Sequence, residues 1–241
     1  MLGVLAFGDS ITHGGGELQW GVALQSWALW TARALGLPYT PYASDGATVL
    51  TVLDEQLPAF ERRAAAPAGP YDLGCLYIGT NDVRGFDWDP FAYERGLRTA
   101  LGFLGARCER TLTATIPLDL GRPRAGAKVE DANAIIERCA REAGALVVYL
   151  SGFGGRRVLM ADHVHPTAFG QIAIAERALA VLERDGMTVR TRPSTLVRAD
   201  ASTRWRRLRG DATYLYRHAK VSAEAAASLL RLRLARRPPR A

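Results

Sequence analysis

Residues 2–16 read LGVLAFGDSITHGGG. A largely apolar run from Leu2 to Phe7 is followed by a glycine, an acid and a serine, and three glycines come after His13. A short apolar run bounded by glycine predicts a buried strand. The small residues behind it predict a sharp turn from strand into helix. Such a turn has two readings. One is architectural; the other lifts the Ser10 hydroxyl to the rim of a sheet, where it is available for chemistry.

Downstream, helices and strands alternate, with no internal repeat of sequence. Leu24, Trp27, Ala28, Thr31 and Leu35 recur at helical intervals, and Gly36 with Pro38 closes that helix. A second strand is predicted over 39–44, then a helix over 48–63 interrupted at Pro58. A third strand covers 71–79, and Asp89-Pro90 opens a helix that reaches about Leu104. Strand four is 111–117, the helix over 130–144 closes at Gly144, strand five is 145–151, and a last helix fills 167–186. This alternation predicts an α/β fold with a parallel sheet covered by helices on both faces. Ligands of such sheets bind beyond the carboxyl ends of the strands. The segments there hold Ser10, Gly46, Asn81, Asp162 and His165. The segment after strand four carries Arg122 and Arg124 and reads either as a lid over an anionic substrate or as a solvated loop.

With 241 residues, 48% apolar and 23% charged, the chain has the composition of a globular protein. No apolar run is long enough to cross a bilayer. The opening MLGVLAF lacks the basic start and cleavage site of a signal peptide and reads as strand. Cys75, Cys108 and Cys139 are odd in number and widely spaced, which fits neither a zinc pattern nor a disulfide framework. Buried free thiols in a reducing, cytoplasmic compartment are the expectation.

The formal net charge of +7 is unevenly spread. Residues 1–186 hold 17 basic and 21 acidic side chains, whereas residues 187–241 hold 14 basic and 3 acidic, all of the basic ones Arg except Lys220. This divides the chain into a body, 1–186, and an Arg-rich extension, 187–241, partly helical or disordered. The extension mixes Arg with Trp205, Tyr214 and Tyr216 and ends Leu-rich, with Ser222 as a candidate helix N-cap and Pro238 near its end. That mixture suits a peripheral attachment to an anionic membrane surface better than nucleic acid, for which no base-reading motif is present. Packing on the body is the competing reading.

A serine hydroxyl attacks effectively only when a base takes its proton, and histidine is the usual base. The four histidines are His13, His163, His165 and His218. His165 follows Asp162 by three residues and precedes Pro166, which favours an extended backbone. That offset lets the carboxylate reach the imidazole, although Asp-x-x-His is by itself an ordinary loop. Asp162, His163 and His165 also invite a metal reading, weakened by the lack of a further His or Cys motif; neither metal nor cofactor is expected. Asn81 and the backbone N–H groups of Gly46 and Ser10 can donate to an oxyanion, and turn chemistry explains the same residues. Trp20, Trp27 and Trp30 could form a sugar platform, but their spacing favours core packing.

In this order, GDSIT (Gly8–Thr12), DGAT (Asp45–Thr48), GTND (Gly79–Asp82) and DHVHP (Asp162–Pro166) resemble the blocks of the SGNH hydrolases, the GDSL esterase/lipase family, over roughly residues 2–185. The resemblance implies a flavodoxin-like three-layer α/β/α sandwich with a five-stranded parallel sheet. It implies Ser10 as nucleophile, His165 as base and Asp162 as its orienting partner. The oxyanion hole would comprise Ser10 N–H, Gly46 N–H and the Asn81 side chain, with no cofactor. The implied reaction is hydrolysis of a small-molecule or lipid carboxylic ester through an acyl-serine. An intracellular acyltransferase with the same residues and a non-catalytic binding protein on this scaffold are the alternatives. Family members often carry an asparagine shortly before the second block, where this chain has Tyr42-Ala43-Ser44.

Overall fold

The computed structural model describes residues 2–16, 24–63, 69–85, 87–118, 120 and 125–196, together with seven isolated helical positions between 212 and 227. Five strands, β1 (Val4–Gly8), β2 (Tyr39–Pro41), β3 (Leu73–Tyr77), β4 (Thr111–Ala114) and β5 (Leu146–Val148), form one sheet in the order β2-β1-β3-β4-β5. Every pairing is parallel, and the longest register runs from Val4 opposite Leu73 to Gly8 opposite Tyr77. This is the flavodoxin-like order, and its direction reverses at the β1/β3 junction, where ligand crevices form.

The α-helices bounded among the described residues are α1 (Ser10–His13), α2 (Trp27–Leu35), α3 (Val49–Thr51), α4 (Leu57–Arg63), α5 (Thr80–Arg84), α6 (Pro90–Gly105), α7 (Lys128–Ala143) and α8 (Ala168–Arg184). Because side chains alternate across a strand, β1 feeds two cores. Val4 and Ala6 join Trp27, Ala28, Ala175 and Leu179 of α2 and α8 on one face. Leu5 and Phe7 join Phe60, Leu97, Leu101 and Ile136 of α4, α6 and α7 on the other. Helices therefore cover both sides, giving three layers. Trp27 and Trp30 are buried in the first core, and the three cysteines are buried and free.

The helix predicted to include Leu24 begins only at Trp27, because the Ser26 side chain caps it by accepting from Leu29 N–H. Pro58 does not interrupt its helix. A π-helical turn over Val52–Gln56 precedes it, and Leu57 N–H reaches back to Val52 C=O. That wider turn lets the chain continue through a residue with no N–H to give.

Past Gly186 the chain keeps to the body. Arg190 and Thr191 N–H groups donate to Ala34 C=O, Pro193 is buried, and Arg192 pairs with Glu176 and Glu183 of α8. Trp20, Arg122, Arg124, Trp205, Tyr214, His218, Ser222, Pro238 and the terminal leucines lie outside the described residues. No helix among the described residues is long and apolar enough to cross a membrane.

Candidate active site

β1 runs into α1 with one residue between, Asp9, whose carboxylate caps the helix by accepting from Ile11 N–H at 2.9 Å. The turn demands Gly8: its φ is +145°, and a Cβ there would lie 2.4 Å from Tyr77 C=O. Gln56 grips the same residue from below, accepting from Gly8 N–H at 3.0 Å and donating to Gly8 C=O at 2.8 Å. Ser10 is thereby fixed at the carboxyl edge of the sheet, 8% exposed.

After β5 the chain returns through a tight loop. Met160 N–H donates to His165 C=O, Thr167 N–H donates to Val158 C=O, and Leu159 pairs with Pro166 in an antiparallel bridge. Asp162 folds over this loop and accepts from Val164 and His165 N–H at 3.0 and 3.1 Å. Its other oxygen lies 2.6 Å from His165 Nδ1, and His165 Nε2 lies 2.9 Å from Ser10 Oγ. The Asp-x-x-His offset thus does what its spacing allowed. Burial by itself raises a carboxyl, but the hydrogen bonds from His165 and the two backbone N–H groups outweigh it and hold Asp162 at about 2. The same bond to Asp162 raises the His165 imidazole above its usual value despite its burial.

Gly46, with φ +73°, and Asn81 at the start of α5 stand across the same crevice. Ser10, Gly15, Gly16, Asp45, Gly46, Asn81, Met160 and His165 line one open cavity of about 460 Å³. All five residues singled out from the sequence therefore meet at one end of the sheet, with Asp162 behind His165. Asn81 Nδ2 donates to Ala47 C=O at 3.0 Å, and Asp82 Oδ1 accepts from Val49 N–H at 3.0 Å. Ser44, in the Tyr42-Ala43-Ser44 stretch before the second block, supports its loop by donating N–H to Gly8 C=O and accepting from Gln56 Nε2. His163 adopts a left-handed backbone, φ 56°. Among the described residues no group of three or more His, Cys, Asp or Glu side chains is placed to hold a metal ion.

Four supporting residues carry no role in the sequence reading, although Asp9 and Asp82 stand inside the GDSIT and GTND blocks. Asp9 is buried and Asp82 half-buried, each with one buried oxygen lacking a hydrogen-bond partner, and desolvation raises their carboxyls to about 7 and about 6. Gln56 does the gripping described above. Gln171, fully buried on α8, accepts from Trp27 N–H at 2.8 Å and donates to Ile11 C=O at 3.0 Å and Gly15 C=O at 3.2 Å. It ties the His165 side of the molecule to the Ser10 turn. The two glutamines did leave a sequence signal: each is a polar residue on an otherwise apolar helical stripe, next to Val52 and Phe60 or Ala168 and Ala175.

Residues 6–172 match the sequence profile of the GDSL-like Lipase/Acylhydrolase family. No curated protein matches the chain. Among solved structures it is similar to a member of the lipolytic protein G-D-S-L family from Veillonella parvula, at 24% identity and TM-score 0.59, covering 75% of this chain and 98% of that one. It is also similar to a catalytic mutant of Axe2, an acetylxylan esterase from Geobacillus stearothermophilus, at 19% identity and TM-score 0.58, covering 82% and 96%. LAE5, an alpha/beta hydrolase enzyme from the metagenome of Lake Arreo, aligns at 21% identity and TM-score 0.57 over 75% and 94%. At these identities the structures establish the shared fold, and the profile, which takes in more than half of the chain, establishes the lineage: the protein belongs to the GDSL-like lipase/acylhydrolase family.

Proposed function

We propose that the protein hydrolyses carboxylic esters through an acyl-Ser10 intermediate. The observation that carries this is the unbroken chain from Ser10 Oγ to His165 to Asp162, at 2.9 and 2.6 Å, opening on a cavity. His165 Nε2 takes the hydroxyl proton as Ser10 Oγ bonds to the ester carbonyl carbon. Asp162 holds the Nδ1 proton and balances the imidazolium charge. The carbonyl oxygen gains a negative charge facing the N–H groups of Ser10 and Gly46 and the amide of Asn81. His165 then passes its proton to the departing alcohol. A water, deprotonated by the same nitrogen, attacks the acyl-serine; the bond to Ser10 Oγ breaks, Oγ takes that proton back from His165, and the acid is freed.

The described lining supports a short acyl group. It contains three glycines and, as its one large apolar side chain, Met160. The acetylxylan esterase among the similar structures points to the same end of the range. A fluorophosphonate probe is expected to label Ser10 and to spare Ser10→Ala. Along a series of p-nitrophenyl esters from acetate to octanoate, kcat/KM should fall as the acyl chain grows. An unlabelled wild-type protein sinks the acyl-serine, and a preference for octanoate sinks the short-acyl assignment. Adding small alcohols as acceptors to the same assay separates hydrolysis from acyl transfer. The Arg-rich extension beyond Leu196 is, in this proposal, a separate peripheral anchor for anionic lipid, supported by its 12 basic and 3 acidic residues.

A further inference from the structure

Asn81 and Asp82 are adjacent, yet they reach two different points of the segment that follows Gly46. Asn81 Nδ2 donates to Ala47 C=O, and Asp82 Oδ1 accepts from Val49 N–H, both at 3.0 Å and across more than thirty residues of sequence. A side-chain amide has two hydrogens. The bond to Ala47 uses one and so sets the direction of the other. Ala47 and Val49 are buried, whereas Asp45 is exposed and a Cβ on Gly46 would touch nothing within 4 Å. The backbone that bears the Gly46 N–H is therefore held by hydrogen bonds on either side of it, from Ser44 and Asp45 before it to Gly8, Gln56 and His13, and from Asn81 and Asp82 to the residues after it, not by packing around itself.

On the acyl-serine reading above, we infer that Asp82 is a positioning residue for the oxyanion hole: by holding Val49 N–H it sets where the Gly46 N–H stands relative to the Asn81 amide. Two donors on different loops stabilise one oxygen only when their separation is fixed. A 1 Å misplacement of such groups costs on the order of 100-fold in rate. Asp82 has a plain structural role as well. Val49 is the first residue of α3, and its N–H has no acceptor within the helix. Loss of that cap alone lowers stability without singling out the transition state. The two roles therefore differ in kinetics.

The test compares Asp82→Ala, Asp82→Asn and Val49→Pro in the full-length protein. Proline fits the first position of a helix, and Thr48 before it is already extended, φ −103° and ψ 174°. Val49→Pro thus removes the donor while leaving Asp82 in place. Asp82→Ala is expected to lower kcat and the rate constant of Ser10 phosphonylation by about 10- to 100-fold, with KM within about twofold. Asp82→Asn, whose amide oxygen still accepts from Val49 N–H, should stay within about threefold of wild type. Val49→Pro should reproduce the Asp82→Ala loss, and the double variant should fall no further than either single one. Melting temperatures show that each variant is folded in the assay. A folded Asp82→Ala protein with wild-type kcat, a loss confined to KM, or losses that multiply in the double variant overturns the inference. Wild-type protein that resists the probe overturns the acyl-serine reading first and this inference with it.

Discussion

In the proposed mechanism the Ser10 hydroxyl is a weak nucleophile until His165 is neutral, and His165 is held by Asp162 above the usual imidazole value. A base works only when unprotonated, so kcat/KM should rise with pH along a limb centred above about 6.5. A pH-rate profile with its limb below that value contradicts the hydrogen-bonded chain. Ser10→Ala and His165→Ala should each remove nearly all turnover, and the double variant should be no worse than either, because the two act as one unit. Asp9 gives a stability test of opposite character. Burial lifts its carboxyl to about 7, far above its value of about 4 in the unfolded chain. A group raised on folding favours the native state most below its unfolded pKa, and that advantage is lost as pH rises through 7. Asp9→Asn does not titrate. Its melting temperature relative to wild type should therefore be more favourable at pH 8 than at pH 4.5, as differential scanning calorimetry can check.

At the scale of elements, two glycines in long helices have opposite meanings. Gly170, in the first turn of α8, faces the returning loop, and a Cβ there would lie 2.0 Å from Val158 C=O. Gly170→Ala should cost about 2–3 kcal/mol and displace the segment that carries Asp162 and His165, lowering activity with it. Gly102, exposed within α6, has nothing within 4 Å of such a Cβ. Gly102→Ala should stabilise by about 0.5–1 kcal/mol, since alanine loses less freedom in a helix. Chemical denaturation of both variants tests the contrast in one experiment. The strands, α6, α7 and α8 were legible in the sequence because periodicity and caps such as Asp89 and Gly144 act locally. The passage of the chain through Pro58 was not, because the π turn that admits it involves the backbone and no residue type. The one-turn helices α1 and α5 are too short to show a period, and their residues read as turns.

For the whole molecule, the convergence of Ser10, Gly46, Asn81, Asp162 and His165 was legible from strand order alone, since a parallel sheet gathers all of its carboxyl ends on one side. What the sequence hid is how distances within that gathering are set. The hydrogen bonds of Gln56, Gln171 and Asp82 join positions 33 to 160 residues apart, and no local pattern encodes a partner so remote. The extension makes its prediction here. Residues up to Leu196 lie on α2 and α8, so a chain ending at Leu196 keeps the contacts of Arg190, Arg192 and Pro193. That truncated chain should turn over a small soluble ester at the full-length rate. Full-length protein should bind anionic vesicles at low salt and release them as salt rises, and the truncated chain should not bind. Vesicles ignored by the full-length protein remove the lipid assignment.

Ser10 and His165 stand 155 residues apart in the chain, and Gln171 of α8 closes the turn between them. On the proposed mechanism, then, the polypeptide emerging during synthesis displays its serine long before it owns a base. It is chemically silent until the final layer docks. On that mechanism hydrolytic competence is a signature of completed folding, and a chain cut short before His165 is expected to be inert, with no inhibitor required to keep it so.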